Sequence, residues 1–373
     1  MIYLDYSANT PADPAVLRTF VETEQRYIGN VNSTHAAGRA AHARMDEILA
    51  HTARLLGVQP DELIFTSGAS EANNLALKGM ARASRHVGKH IISTALEHSS
   101  VSGTLTALQE RGYEIDLVDI DREGRVDLEH LRELMRKDTV MVAVCAVDSE
   151  LGTVQPLAEI AEIVKQAPDC RLHVDATQAV GKMPVSFDGI DTMSIAPHKF
   201  YGLNGCGILV KRKGVILEPL IHGGASTTIY RSGTPALALA ASMETALQLA
   251  LEQLPKRQAV VQAWNNLLRE RLSAYPEVRI NSPKQAIPHI LNLSVRGVKG
   301  AAFQQALDAK GVCVSVKSAC SVENTPSRAV FAVSHDRKTA MSSWRISLSH
   351  LTTQNDIDGF LSAFEACYKE LTK

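Results

Sequence analysis

The sequence predicts an α/β protein: a largely parallel sheet covered on both faces by helices, followed by a smaller α/β domain. Three observations carry this reading. Short apolar, β-branched runs alternate with amphipathic helical stretches through most of the chain, the order that builds βαβ units. The 373 residues suffice for about two domains. A long helical stretch, at about residues 235–275, separates the first pattern from a second, shorter set of strands.

The elements follow in order. "AHARMDEILAHTARLLG" places Met45, Ile48, Leu49, Thr52, Ala53 and Leu56 on one helical face, with Gly57 as the stop. "ELIFT" is a short buried strand ending at Thr66, and "SGASEANNLALKGMA" turns at Gly68 into a helix that begins near Ser70. "KHIIST", "YEIDLVDI", "TVMVAVCAV", "CRLHVDA", "DTMSIA" and "CGILVK" are further strands, with the amphipathic helix "LAEIAEIVKQA" between two of them. Past the long helix, "HILNLSVRG", "VCVSVKSAC" and "SSWRISLSH" read as strands, and residues 356–371 as a closing helix. The stretch "SVENTPSRAVFAVSHDRKTAM" is polar and irregular in its first half, and long enough to be a functional loop.

Composition excludes several classes. The chain is 45% hydrophobic and 21% charged, as soluble globular proteins are. A net charge of -1 gives no global pull toward nucleic acid or anionic lipid. "MIYLDYSANTP" lacks the basic and apolar regions of a signal peptide, and no apolar run approaches the ~20 residues of a membrane span. Cys145, Cys170, Cys206, Cys313, Cys320 and Cys367 form no CxxC pair and no zinc spacing. They read as reduced thiols of a cytoplasmic protein without a bound metal.

In open parallel sheets, ligands bind at the carboxyl ends of the strands. No G-x-G-x-x-G follows the first strand and no G-x-x-x-x-G-K-[ST] occurs, so a nicotinamide dehydrogenase or a P-loop enzyme is a poor reading. "FTSGASEANN" is a strand, a glycine turn and a helix start. Its free backbone N–H groups, with the hydroxyls of Thr66 and Ser70, make a phosphate cradle, although an ordinary capped helix start looks the same. "HVDATQAVGK" sets Asp175 at a strand end with Gln178 a turn later, and Lys199 closes the next strand–turn unit. A lone aspartate or lysine is far more often a solvated surface residue. Together, a phosphate cup, a carboxylate and a lysine at one sheet edge match what pyridoxal 5'-phosphate needs: an anchored phosphate, a partner for the pyridine nitrogen and an amine for the Schiff base.

With these residues in place, the chain resembles the class V, fold-type I pyridoxal-phosphate enzymes, and among them the cysteine desulfurases of the NifS/IscS type. "IYLDYSANTP", "GRAAHARMDEILAHTARLLG", "IFTSGASEANNLALKG", "EHSSV", "ELGTVQP", "HVDATQAVGK", "HKFYGLNGCGIL", "RSGT", "SAC" and "WRISLS" occur in family order over nearly the whole length. The resemblance implies a large cofactor-binding domain at residues 12–250 with a mostly parallel seven-stranded sheet. It also implies a small domain at residues 251–373, joined by residues 1–11.

It further implies roles. Lys199 would carry the Schiff base and move the Cα proton. Asp175 would pair with the pyridine nitrogen and Gln178 with the ring hydroxyl. His98 would stack on the ring and assist in acid–base steps. Ala69, Ser70 and His198 would hold the phosphate. Thr234 would reach the phosphate of a neighbouring subunit, which implies a homodimer. Arg345 would clamp the substrate carboxylate. Cys320 would be the nucleophile that takes sulfur from L-cysteine as a persulfide, releasing alanine, for transfer to a sulfur-acceptor protein. Cys320 opens a polar loop, and Lys317 close by favours the thiolate.

The chain departs from the family in three places. Asp148 and Ser149 stand where the family has paired asparagines, Ser149 at the position that helps hold the ring hydroxyl. Ala196 replaces a serine that contacts the phosphate. The segment 225–230 lacks the usual Gln-Glu or His-Glu pair. Two other readings fit the same motifs: another class V enzyme, such as a selenocysteine lyase or an aminotransferase, which would not need Cys320, and a weakly active scaffold that binds a sulfur-acceptor partner.

Overall fold

In the computed structural model, which describes residues 1–317 and 325–372, the seven strand runs of the first region form one sheet. Numbered along the chain after β1 (Ile2–Tyr3), they are β2 (Leu63–Thr66), β3 (His90–Ser93), β4 (Glu114–Leu117), β5 (Thr139–Cys145), β6 (Arg171–Asp175), β7 (Thr192–Ile195) and β8 (Gly207–Lys211). Their order across the sheet is β2-β8-β7-β6-β5-β3-β4. Neighbours from β4 to β7 are parallel, while β8 runs antiparallel to both β2 and β7. β2 therefore runs in the direction of β7, and the carboxyl ends of all strands but β8 open on one edge.

The residues account for the layers. Every residue of β5, "TVMVAVC", is buried, as an unbroken β-branched run on a doubly covered strand must be. Successive side chains alternate between faces. Val142 and Val144 pack with Ile160, Val164, Met243 and Leu247 of the helices Leu157–Val164 and Leu237–Glu252. Met141 and Ala143 pack on the other side with Leu75, Ala76 and Met80 of the helix Ala69–Ala83. The helix Ala36–Leu56 ends at Gly57 as expected, with Met45, Ile48, Thr52 and Ala53 buried.

The long helical stretch is two helices, Leu237–Glu252 and Leu254–Leu272, broken at Gln253. Pro255 explains the break, because proline is tolerated only in the first turn of a helix. Packing partners change at this point. Val261, Leu268 and Leu272 of the second helix enter a separate core with Leu291, Leu293, Trp344 and Phe360.

That second core is built on β9 (Val278–Ile280), β10 (Ile290–Val295) and β12 (Ser343–Ser347), antiparallel in the order β12-β10-β9. Phe303 stacks on Trp344 with ring centroids 5.1 Å apart. Among the described residues of the run "VCVSVKSAC", 312–317, only β11 (Val312–Cys313) is a strand, pairing in parallel with β1. Ser315 then bridges Arg345. The run is shorter than expected because β1 offers two residues to pair with. Leu4 lies fully buried in this core, so the N-terminal residues pack with the C-terminal part of the chain. The closing helix is Gln354–Leu371, and residues 328–342 carry two short helices, Arg328–Ser334 and Arg337–Ser342. Among the described residues no helix is long and apolar enough to cross a membrane, and the five described cysteines are unpaired.

Candidate active site

The strand ends meet in a pocket of ≈ 400 Å³. Asp175, the last residue of β6, is paired in register with Cys145 of β5 and Ser194 of β7. It is buried, and its carboxylate is held by donors: Thr177 N to Oδ1 at 3.0 Å and Asn73 Nδ2 to Oδ2 at 2.8 Å. Asn73, fully buried on the helix Ala69–Ala83, anchors the arrangement. Its Oδ1 accepts from Ser194 Oγ at 2.5 Å and pairs with His173 Nε2 at 3.0 Å, while Nδ2 also donates to Ser100 Oγ at 2.8 Å. Burial lowers the pKa of His173, against the pull of Asp175.

Lys199 stands in a single helical turn, Pro197–Lys199, directly after β7. Its Nζ donates to the carbonyl oxygens of Ser7 at 2.8 Å and Ala8 at 2.7 Å. Gly205 turns the chain at the pocket wall with φ 82°, but the first left-handed residue after Lys199 is Tyr201, with φ 72°. Its phenol and Ser349 Oγ are 2.6 Å apart, and its backbone N–H donates to Thr10 Oγ1 at 2.8 Å. These long-range bonds hold a non-glycine residue where few adopt that conformation.

The first turn of the helix Ala69–Ala83 forms another wall, with Ala69 and Ser70 lining the pocket. Gly68 precedes it with φ 153°, open to glycine and to few other residues. The leading N–H groups of a helix have no intrahelical acceptors. Thr66, expected in this cradle, instead closes its own turn, its hydroxyl donating to Gly68 O at 3.0 Å. Glu71, also lining the pocket, accepts from Ser67 N at 2.7 Å and Arg231 Nε at 2.9 Å. Burial pushes its carboxyl up, but these donors outweigh it and the net shift is downward.

His98, Gln178 and His198 also face the pocket. His98 caps the helix Ser99–Gln109, its Nδ1 accepting from Ser100 N at 3.2 Å. A backbone N–H can only donate, so in neutral His98 the proton sits on Nε2. Burial lowers its pKa, with Lys199 and Arg328 adding to the effect and Asp175 opposing it. His198 falls to about 4, through burial and the nearby cations Lys199 and Lys182. Gln178 Nε2 donates to Ser7 O at 3.0 Å, and its Oε1 accepts from Lys182 Nζ at 2.5 Å.

Arg345 is the deepest member of the set, 2% exposed on β12. Nη1 donates to Ser149 O at 2.6 Å, Nη2 pairs with Asp5 Oδ1 at 2.9 Å, and Nε has no partner among the described residues. Asp5 Oδ2 accepts in turn from Ser315 Oγ at 2.7 Å. Ser149 lines the pocket. Asp148 turns inward instead and accepts from Glu150 N at 3.1 Å and from Leu151 N. Its pKa rises to about 7, through burial and then Glu150. Glu97, fully buried, rises to about 8 for want of solvent. Ala196 is completely buried and does not line the pocket.

Two expected residues stand apart. Thr234 is exposed and lies outside the pocket of its own chain. Cys320 falls outside the described residues. On either side of segment 318–324, Lys317 Nζ donates to Thr325 O at 3.0 Å and to Thr325 Oγ1 at 2.6 Å. Sequence reasoning missed Asn73, Asp5 and Lys182. Asn73 alone left a trace, as a polar residue on the apolar stripe of Ala72, Ala76 and Met80.

The residues present fit pyridoxal 5'-phosphate. A helix N-terminus offers donors to a phosphate, a buried carboxylate stands at a strand end, and an amine lies at the next one. The Thr177 hydroxyl on the pocket wall is buried with no partner among the described residues, a donor awaiting an acceptor.

The family model described as Aminotransferase class-V matches residues 2–360. The "NifS/IcsS protein homolog" of Lactobacillus delbrueckii subsp. bulgaricus is 37% identical over 379 residues, spanning 100% of this chain and 98% of that one. "Cysteine desulfurase IscS" of Dictyoglomus turgidum is 36% identical over 99% of this chain and 95% of its own. Among solved structures, a "NifS-like protein" superposes with a TM-score of 0.93 at 33% identity, covering 99% of this chain and 100% of that chain. "SspA in complex with cysteine" superposes with a TM-score of 0.83 at 29% identity, covering 95% and 100%.

Proposed function

This chain belongs to the aminotransferase class-V family, and from that membership we propose that it is a pyridoxal-phosphate-dependent cysteine desulfurase, converting L-cysteine to L-alanine and leaving the sulfur as a persulfide on Cys320. The observation that carries the reading is the convergence of the Ala69–Ser70 helix start, the Asp175 carboxylate, the Lys199 amine and the Arg345 guanidinium on one pocket. Its relatives named cysteine desulfurase support it.

When bound, the cofactor supplies an electron sink for charge left at the substrate Cα. The rest falls to the chain. The N–H groups of Ala69 and Ser70, with neutral His198, hold the phosphate at the helix N-terminus. Asp175, fixed by Asn73 and Thr177, offers its carboxylate to the ring nitrogen. Gln178 and Ser149 serve the ring hydroxyl, and His98 stacks on the ring with its Nε2–H as a donor. Arg345 binds the substrate carboxylate, and Lys199 Nζ moves the proton at Cα. Cys320 Sγ, as the thiolate, then forms a bond to the substrate sulfur. The substrate C–S bond breaks, Cβ gains a proton, and alanine leaves.

The exposed position of Thr234 supports a homodimer in which it serves the neighbouring site. The separate second core supports a large domain at 12–250 and a small one at 251–373 joined by residues 1–11. The unpaired thiols support a cytoplasmic enzyme, one that passes its persulfide to an acceptor protein. The test is to incubate purified protein with L-cysteine and measure alanine and persulfide together. Borohydride reduction should fix the cofactor covalently on Lys199. An adduct on another lysine, or no alanine from a cofactor-loaded protein, would sink the reading.

A further inference from the structure

A chain of hydrogen bonds with a fixed direction runs from Asp175 through Asn73 and Ser100 to His98. A carboxylate only accepts, so the atom of Asn73 that lies 2.8 Å from Asp175 Oδ2 is the amide nitrogen. Its second hydrogen goes to Ser100 Oγ at 2.8 Å. Asn73 Oδ1 then faces Ser194 Oγ at 2.5 Å and His173 Nε2 at 3.0 Å, and both must donate. His173 Nδ1 is left to accept from Thr192 Oγ1 at 2.9 Å. Every hydrogen-bonding position of this completely buried amide is in use. Turning it over would set its oxygen against the carboxylate.

At the far end, Ser100 Oγ accepts from Asn73 and keeps its own hydrogen for His98 Nδ1, 2.9 Å away. The backbone N–H of Ser100 reaches the same nitrogen at 3.2 Å. Nδ1 thus takes two donors from one residue, in the first turn of the helix that His98 caps. A proton on Nδ1 would point at a backbone N–H, which can only donate. The neutral ring therefore carries its hydrogen on Nε2. To take a proton from a substrate at Nε2, the ring would need its hydrogen on Nδ1 instead, the arrangement that the cap opposes. Releasing the Nε2 hydrogen without replacement would leave an anionic ring. The charges around His98 do not favour a positive ring either: burial opposes it first, Lys199 and Arg328 add to this, and Asp175 works against them.

Resting on the desulfurase reading for the reaction itself, we propose that His98 serves the pocket as a neutral donor through Nε2–H, neither taking up nor releasing a proton in turnover. Ser100 is the positioning residue that holds it so, and Asn73 orients Ser100. The carboxylate of Asp175 and the protonation state of His98 are thereby tied together through one buried amide and one hydroxyl. The acid–base steps that the family resemblance assigned in part to His98 fall to Lys199.

Nitrogen NMR of the holoprotein reads the ring without any turnover. The His98 signals are those missing from His98→Gln, or from His98→Asn should the first variant not fold. They should show Nδ1 bare and Nε2 protonated from about pH 7 to 9, with and without L-alanine. Ser100→Ala removes one of the two donors to Nδ1 and should raise the pH at which the ring takes up a proton, by up to about one unit. Ser100→Thr keeps the hydroxyl and should not. In alanine formation from L-cysteine, His98→Gln should be slower by at most about 10-fold, the worth of one neutral hydrogen bond, and should keep the shape of the wild-type pH profile. Loss of a true acid or base costs ~10²–10⁴-fold. A ring with hydrogen on Nδ1, a titration unmoved in Ser100→Ala, or a loss of ~100-fold or more with a changed pH profile in His98→Gln overturns the proposal. A cofactor-loaded protein that makes no alanine sinks the desulfurase reading instead, and the NMR then decides the state of His98 on its own.

Discussion

Arg345 enters the pocket already paired: its Nη2 lies 2.9 Å from Asp5 Oδ1, joining residues 340 positions apart. Arg345 is buried and the Asp5 side chain is 17% exposed. The carboxylate therefore compensates a guanidinium that water cannot reach. Removing one partner of such a pair leaves the other charge unmet, at about 3–5 kcal/mol. Asp5→Ala should lower unfolding stability by about 3 kcal/mol in urea denaturation, the low end because Asp5 is partly solvated. Asp5→Asn keeps an oxygen acceptor for Nη2 and should recover part of the loss. Equal stability of Asp5→Ala and wild type would show that Asp5 does not compensate Arg345.

Asp148 gives the protein a pH-dependent stability whose sign can be fixed. Its folded pKa of about 7 lies above the ordinary 3.8, because burial and Glu150 disfavour the charged form. Between those values the folded chain keeps a proton that the unfolded chain has released. Stability from this group is therefore complete below pH ~4 and is lost as pH rises toward ~7, by up to ~1.4 kcal/mol per pH unit. Asp148→Asn has no such proton. Denaturation between about pH 5 and 7 should therefore show the stability of the variant falling less, or rising more, with pH than that of wild type. Glu97, at about 8, acts in both proteins with the sign of Asp148, and His173 and His198, held down to about 4 by burial, act in both with the opposite sign. Identical slopes would show that Asp148 is ionised in the fold.

Cys320→Ser separates the desulfurase reading from a lyase that needs no thiol. A hydroxyl is a far poorer nucleophile near neutral pH. The variant should keep the cofactor's absorbance and its spectral response to L-cysteine, yet lose at least ~100-fold in alanine formation and form no persulfide by mass spectrometry. Undiminished alanine production would move the function to the other class V chemistries.

Thr234 carries a prediction about sharing. If it serves a neighbouring chain's phosphate, Lys199→Ala and Thr234→Ala chains, each impaired alone, should form heterodimers with one site intact in both residues. Activity should recover to about a quarter of the wild-type level in a statistical mixture, since half of the dimers are mixed and each holds one complete site. No recovery in verified heterodimers would place Thr234 outside the site.

The strands, the Gly57 helix stop and the positions of Asp175 and Lys199 were legible in the sequence, because each depends on local signals. Side-chain alternation, β-branched runs and glycine breaks act within a few residues. Strand direction then carries every strand-end residue to one edge, so Asp175, Gln178 and Lys199 could be placed without knowing their contacts. The break at Gln253 hung on Pro255 alone and was lost in a helix-compatible stretch that continues on both sides of it. What tertiary structure decided was pairing. Asn73 meets Asp175 across 102 positions, Arg345 meets Asp5 across 340, and Lys199 rests on the carbonyls of Ser7 and Ala8. Nothing local marks Asp5 or Lys182, since an aspartate near a terminus and a lysine in a turn are ordinarily solvated. Their burial follows from the packing of the first residues into the second core beside the sheet edge. That packing removes the water from Lys182 and part of it from Asp5, so the fold itself provides their partners.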